Sequence, residues 1–478
     1  MTLSAHELSL VAPEIFVLAM ACVVLMAAAF SGEKNQTLSY ILSILTLIGA
    51  AWLSYRFVPE GREIIFSGMV VADQLGTTLK LFCYAVLAVV FLYSRDYLQQ
   101  RNLLKGEYFV LGLFGLLGIM VMIAANSLIT IYLGLELLSL SLYTLVAINR
   151  DSVLSSEAAM KYFVLGAIAS GCLLYGMSLL YGATGTLDLT ELKVALAGAD
   201  PLRIEFLLAL AFLLVGIAFK FGAAPFHMWV PDVYQGALSS VTLYVGTIPK
   251  IAAFALFMRI LAEALGDMYG SWRDMVIVLA ILSMGIGNLV AIVQTNIKRM
   301  LAYSTISHVG FILLGFLAGG PVGYQAALFY TLAYVIMATG AFGMIILLSR
   351  KGFEAENLED FKGLNQRSPW FALIMMIVMF SMAGVPPMLG FYAKIQVIMA
   401  VLDAGMAWLA ILAVLFSVIG AFYYLRIIKL MYFDAPEDAE PLQTEVDMRV
   451  VLSANGLLVL FLGLFPGGLL ALCASVLP

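Results

Sequence analysis

Residues 203–236 read RIEFLLALAFLLVGIAFKFGAAPFHMWVPDVYQG, a mostly apolar stretch of 34 residues with Lys220, Pro225, His227 and Pro231 set into its second half. As one helix rising ~1.5 Å per residue it would be about 51 Å long, well beyond the ~30 Å hydrocarbon core of a bilayer. Each proline lacks a backbone N–H and Gly222 tolerates any turn, so the helix is expected to break within FGAAPFHMWVPD. A second 34-residue stretch, 370–403, has the same form and breaks at SMAGVPPMLGF, around Pro386 and Pro387. A proline can also merely kink a packed helix. Broken backbone at membrane depth survives only inside protein or beside water, and a pair of such breaks points to a transport site.

The rest of the chain agrees with a membrane setting. Of 478 residues 63% are apolar and 12% charged, and the mean hydropathy is +1.03. A soluble domain carries roughly a quarter charged residues, so a soluble globular protein is excluded. Fourteen apolar runs of span length follow one another, with approximate limits 9–30, 38–58, 75–94, 107–125, 128–148, 158–182, 204–226, 238–260, 274–294, 300–318, 324–348, 370–403, 407–432 and 450–474. The start, MTLSAHE, lacks the basic segment of a cleavable signal, so the first run is expected to be retained as a span.

An even number of spans puts both termini on one side and sorts the loops into two sets. Loops after odd-numbered spans hold 15 Lys and Arg, among them Lys34, Arg101, Lys298, Arg299 and Arg426, against 6 on the other side. The positive-inside rule then places the odd loops in the cytoplasm and both termini outside.

The hexapeptide Glu157-Ala158-Ala159-Met160-Lys161-Tyr162 lines up with Gln325-Ala326-Ala327-Leu328-Phe329-Tyr330 at an offset of 168, close to the spacing of the two broken segments. The repeat unit is five helices, and an odd unit must be inverted in its second copy. The expected fold is therefore an all-α polytopic membrane protein of about 14 transmembrane helices, with two inverted five-helix repeats and discontinuous helices 7 and 12. Its expected parts are 1–98, 105–265, 273–433 and 449–478.

Four ionisable residues lie deep in apolar runs, where a charge costs roughly 2.5–3.5 kcal/mol. Glu136, in LITIYLGLELLSLSLYTLVAI, is ~12 Å into a ~31 Å helix. It is the only acid deep on any span and the expected partner of Lys220. Lys250 follows Pro249 at mid-depth and has no acid to pair with. Lys394 follows Pro387 by seven residues and is the approximate repeat counterpart of Lys220. Lys80, near the outer end of the third span, reads as an anchor that snorkels to the interface.

A lysine out of water holds its proton less firmly and a nearby carboxylate restores the hold, which is the chemistry of a proton relay. His308, in AYSTISHVGF, is suited to pass a proton between lysines too far apart to touch, although a lone buried His is more often a packed core residue. Thr242, Tyr244, Tyr303, Ser304, Thr305, Ser307, Tyr330 and Tyr334 would line such a route or simply bond neighbouring helices, and Asn126, Asn288 and Gln294 are equally ambiguous.

Cys22, Cys83, Cys172 and Cys473 are far apart in apolar runs and His occurs three times, so the chain is expected to hold no iron–sulfur, zinc or haem group. A net charge of -5 is no nucleic-acid footprint. Without a phosphate-binding loop or dinucleotide fingerprint, the driving force must come from partner chains or an ion gradient.

Five segments, LGLELLSLSLYTLVA (134–148), FKFGAAPFHMWVPDVYQGA (219–237), VGTIPKIAAF (245–254), NIKRMLAYSTISHVGF (296–311) and GVPPMLGFYAKI (384–395), together resemble the antiporter-like, proton-translocating membrane subunits of complex I, NADH:quinone oxidoreductase. The likeness spans essentially the whole chain and is greatest to the family's subunit N branch, which carries Lys rather than Glu at the position of Lys394. The resemblance implies that Glu136 and Lys220 form a coupling pair, Lys250 is the central relay, His308 a polar relay position, and Lys394 faces the outward half-channel. It also implies other membrane-arm subunits as neighbours and a peripheral arm reached through them, with NADH, FMN, iron–sulfur clusters and quinone held by partner subunits. Two other functions fit the same residues less fully: a subunit of a multi-subunit Na⁺(K⁺)/H⁺ antiporter, and a structural membrane anchor.

Overall fold

Apolar runs of this length find no water inside a bilayer to satisfy their N–H and C=O groups, so they close those bonds internally as helices. The computed structural model describes residues 4–30, 36–198, 200–436 and 445–477; Lys34, counted in the charge sorting, lies outside them. We number the principal helices α1 (Ala12–Phe30), α2 (Thr37–Arg56), α3 (Gln74–Gln100), α4 (Gly106–Ile123), α5 (Leu128–Val146), α6 (Val153–Thr184), α7 (Ile204–Phe221), α8 (Trp229–Gly236), α9 (Ser239–Gly246), α10 (Ile248–Phe257), α11 (Tyr269–Ile292), α12 (Ile297–Ala318), α13 (Gly320–Leu348), α14 (Pro369–Ala383), α15 (Leu389–Asp403), α16 (Ala407–Phe433) and α17 (Val446–Leu464). Among the described residues 13 helical stretches are long and apolar enough to cross a membrane, and Pro369–Ala383 is a shorter apolar helix. The twelfth expected span, 370–403, is thus two half-helices of 15 residues each.

Both expected breaks are present. The first separates α7, ending at Phe221, from α8, beginning at Trp229. The second separates α14 from α15, with Gly384 at φ +87° capping α14 in the left-handed conformation that only glycine adopts freely. The Ala224–Pro225 and Pro386–Pro387 bonds are cis.

The expected continuous span 238–260 is interrupted. At Thr247 the backbone leaves the helix (φ -117°, ψ -82°), and Met258–Ala264 continues as a π-helix. Pro249 supplies the reason for the break at Thr247, because it cannot donate to the Val245 carbonyl one turn back and its ring crowds that carbonyl.

The chain divides into two compact units. The first comprises Met1–Phe91, Leu104–Phe221 and Ile248–Met275. Within it α4 and α5 touch backbone to backbone: a Cβ on Gly118 would stand 2.6 Å from the Gly134 carbonyl oxygen, and one on Gly134 2.7 Å from that of Gly118. A short antiparallel hairpin, β1 (Glu63–Ile65) and β2 (Val70–Ala72), is tied to the α4–α5 turn, since Val71 N donates to the Ala124 carbonyl (2.8 Å) and Asn126 Nδ2 to that of Gly68 (2.9 Å). Asn126 is therefore a structural tie.

Two expectations about charge are corrected in this unit. Lys80 does not snorkel: it is 8% exposed and ion-paired with Glu14 of α1. Nor is Glu136 the only enclosed acid, because the Glu14 side chain is 13% exposed. The buried pair offers Lys80 a countercharge inside the protein, which an anchor at the interface would find in water.

The second unit comprises Leu92–Leu103, Gly222–Thr247 and Val276–Pro478. Its centre is α13, in which every residue from 326 onward is buried, with α12, α14, α15 and α17 packed around it. A helix apolar all round belongs in such a position.

Candidate functional site

In the first unit Glu136 and Ser139, three residues apart on α5, share a helix face. Lys220, on the last turn of α7, donates to Ser139 Oγ at 2.6 Å, and Ser139 Oγ in turn donates to the Leu135 carbonyl, also at 2.6 Å. The hydrogen bond of Lys220 is thus to the serine, with the Glu136 carboxylate within electrostatic range of the ammonium. Glu136 is half-buried, and its enclosed Oε1 receives no hydrogen bond among the described residues.

Lys250 is fully enclosed (0% exposed), and its Nζ donates to the Phe221 carbonyl at 2.8 Å. Phe221 is the last residue of α7. The carbonyls at a helix C-terminus carry about half a negative charge, so the broken helix itself supplies Lys250 with a counter-dipole.

The second unit repeats this arrangement. Lys394, on α15 and 7% exposed, donates to the carbonyl of Ala383, the last residue of α14, at 2.8 Å. It also donates to Ser417 Oγ on α16 at 3.0 Å and lies 5.2 Å from the Phe311 ring centroid. In their bonding Lys250 and Lys394 are alike, each capping a half-helix from outside it, whereas Lys220 sits on the half-helix before a break.

His308, 3% exposed, lies within electrostatic range of Lys394. Its Nδ1 is 2.8 Å from Tyr330 Oη and its Nε2 3.0 Å from Tyr424 Oη. A ring bonded to a hydroxyl at each nitrogen can accept a proton on one side and release one on the other. Tyr424 Oη also meets Ser304 Oγ, while Thr305 Oγ1 meets Tyr334 Oη at 2.8 Å and Tyr334 donates to the Gly246 carbonyl at 3.1 Å. Thr242 instead bonds the Tyr234 carbonyl (2.9 Å) and Asn288 accepts from Tyr423 (3.0 Å), so both serve packing.

A family model described as NADH:quinone oxidoreductase/Mrp antiporter, TM, matches residues 125–420, a span that holds Glu136, Lys220, Lys250, His308 and Lys394. The chain belongs to this family. Among its relatives, NADH-quinone oxidoreductase subunit N of Thioalkalivibrio sulfidiphilus is 60% identical over 100% of both chains. The protein of the same name from Thiobacillus denitrificans is 55% identical over 100% of this chain and 99% of its own. A solved chain of respiratory complex I from Thermus thermophilus superposes with a TM-score of 0.83 at 30% identity, covering 97% of this chain and 99% of that one.

In this NADH:quinone oxidoreductase/Mrp antiporter member, three side chains at the site escape a reading of the sequence. Ser139 had a usable signal, its helical spacing of three from Glu136. Tyr424 had a weaker one, a Tyr-Tyr pair inside an apolar run. Ser417 had none, since only the fold brings α16 beside Lys394.

Proposed function

We propose that this chain is a proton-translocating membrane-arm subunit of an NADH-quinone oxidoreductase, carrying no redox group itself and relaying protons through Glu136, Lys220, Lys250, His308 and Lys394. Electron transfer from NADH through FMN and iron–sulfur clusters to quinone takes place in partner subunits. The chain lies in the bacterial inner membrane among other membrane-arm subunits, with both termini on the periplasmic side. The two inverted five-helix repeats are residues 105–265 and 273–433, between N-terminal helices at 1–98 and a last helix at 449–478.

The observation that carries this reading is the placing of Lys250 and Lys394, both enclosed and each bonded to the terminal carbonyl of a half-helix. A helix C-terminus stabilises a cation by about 0.3–2 kcal/mol, and burying one in a membrane costs roughly 2.5–3.5 kcal/mol. A membrane anchor has no use for such residues, and identity to subunit N relatives over the full length favours the oxidoreductase over a cation antiporter.

The mechanism is a charge switch. With Glu136 close, Lys220 keeps its proton; when a neighbouring subunit draws Glu136 away, the desolvated ammonium gives its proton up towards Lys250, and His308 hands it on to Lys394. The half-exposed position of Glu136 suits a group acted on from outside the chain. Lys220 is then reprotonated from the cytoplasm. The test is Lys220→Ala in the assembled complex in sealed vesicles. Proton translocation per NADH oxidised should drop; full pumping at an unchanged rate of electron transfer would refute the relay.

A further inference from the structure

Asp73, Thr77, Lys80 and Tyr84 follow one another at intervals of four, three and four residues, so they form one stripe along α3 and the turn that precedes it. The stripe runs about 16 Å, from the end of the helix into its span. None of the four belongs to the relay.

The facing helices complete it. Glu14 of α1 pairs with Lys80, their side chains 13% and 10% exposed. Ser54 of α2 meets Tyr84 Oη at 3.2 Å, and that hydroxyl also reaches Met120 Sδ of α4 at 3.7 Å. At the outer end Arg259 bonds Asp73 at 2.7 Å and Glu263 at 2.9 Å, and Glu263 pairs with Arg62 at 2.8 Å. Ser54, Asp73, Thr77 and Lys80 line a cavity of about 20 Å³, room for one water molecule. Both Glu14 oxygens are sealed from solvent and neither receives a hydrogen bond of good geometry among the described residues, so acceptor positions are left for a proton or a water.

A clamp between α1 and α3 needs none of this. A buried ion pair stabilises a protein no better than packed apolar side chains, and a clamp would end at the pair. The polar stripe continues past the pair in both directions, to the half-buried Asp73 just before α3 and to Tyr84 in the interior.

We propose that these residues form a second, hydrated half-channel, opening on the side of the loop between α2 and α3, with Glu14 and Lys80 as its proton-binding pair. A proton on Lys80 Nζ moves to a Glu14 oxygen, leaving an amine and a carboxylic acid. The acid passes it to the cavity water and becomes a carboxylate again, and the amine takes its next proton from the interior side. The inference rests on the proton-translocating function proposed for the chain.

The first experiment reads hydration alone and so stands apart from the fate of Lys220→Ala. In the assembled complex, with Cys22, Cys83, Cys172 and Cys473 replaced by alanine, Thr77→Cys lies in the cavity wall and Leu87→Cys, fully buried on the same helix, is the control. A charged, membrane-impermeant methanethiosulfonate applied from the periplasmic side should modify Thr77→Cys at least about tenfold faster than Leu87→Cys. Modification from neither side, or from the cytoplasmic side alone, overturns the proposal. In the second experiment Glu14→Gln and Lys80→Met should each lower protons translocated per NADH oxidised by at least about twofold while electron transfer continues. Full stoichiometry in assembled complex overturns it, because a structural clamp changes only the amount assembled; if neither variant assembles, the thiol measurement decides.

Discussion

Lys250 separates two roles that a buried cation can have. Arginine at this position still has the donors to bond the Phe221 carbonyl, but it does not release a proton at any accessible pH. If the residue served only to cap α7, Lys250→Arg would be tolerated and Lys250→Met would not. We expect both variants to lose proton translocation at least about tenfold, measured as protons per NADH in vesicles, with Lys250→Arg assembling the better of the two. Asp73 gives a prediction about stability. Burial pushes its carboxyl up, but the Arg259 guanidinium outweighs this and holds it below the usual carboxylate range. A depressed acid contributes stability that is present above its unfolded value, ~3.9, and lost as pH falls through its folded one. Thermal unfolding of the solubilised complex should therefore show an acid limb below about pH 4 that Asp73→Asn flattens. At neutral pH that variant should cost roughly 3 kcal/mol or less, because Arg259 keeps Glu263.

Among the elements, the breaks were legible where glycine and proline stand together and obscure elsewhere. GVPPMLG and FGAAP name their turns outright. The departure at Thr247 is marked only by Pro249 two residues on, and nothing in the residues of Met258–Ala264, MRILAEA, marks that turn as π-helical. The ion pair of Lys80 with Glu14 joins residues far apart in sequence, and an isolated lysine near a span end is ordinarily an anchor. The cap of the second break gives the sharpest element-scale test. Gly384 has φ +87°, and a Cβ there would stand 2.8 Å from Lys394 Cδ and 3.3 Å from its Nζ. Gly384→Ala should cost about 1–2 kcal/mol in backbone strain and also push Lys394 off the Ala383 carbonyl. The expected outcome is an assembled complex whose pumping falls towards that of Lys394→Ala; unchanged pumping would mean that the lysine does not need this carbonyl.

At the scale of the whole chain, the number of spans and the polytopic fold followed from run lengths and scarce charge, because a bilayer leaves so few alternatives for backbone bonding. The division into units did not, since it follows packing and not sequence order: Gly222–Thr247 belongs to the second unit although residues of the first flank it on both sides. This has a consequence in time. The segment is synthesised before any of Val276–Pro478 exists. Asp232, which bonds Arg299 at 2.8 Å in the finished protein, precedes it by 67 residues. At ~5–20 residues per second, that carboxylate waits roughly 3–13 s for its guanidinium. The first unit has all its own residues once Met275 is made, while the stretch between its last two pieces is still unpartnered by most of the helices it will join. Synthesis thus leaves a polar, proline-broken segment exposed in the membrane for seconds, an interval in which an insertion factor would have something to hold.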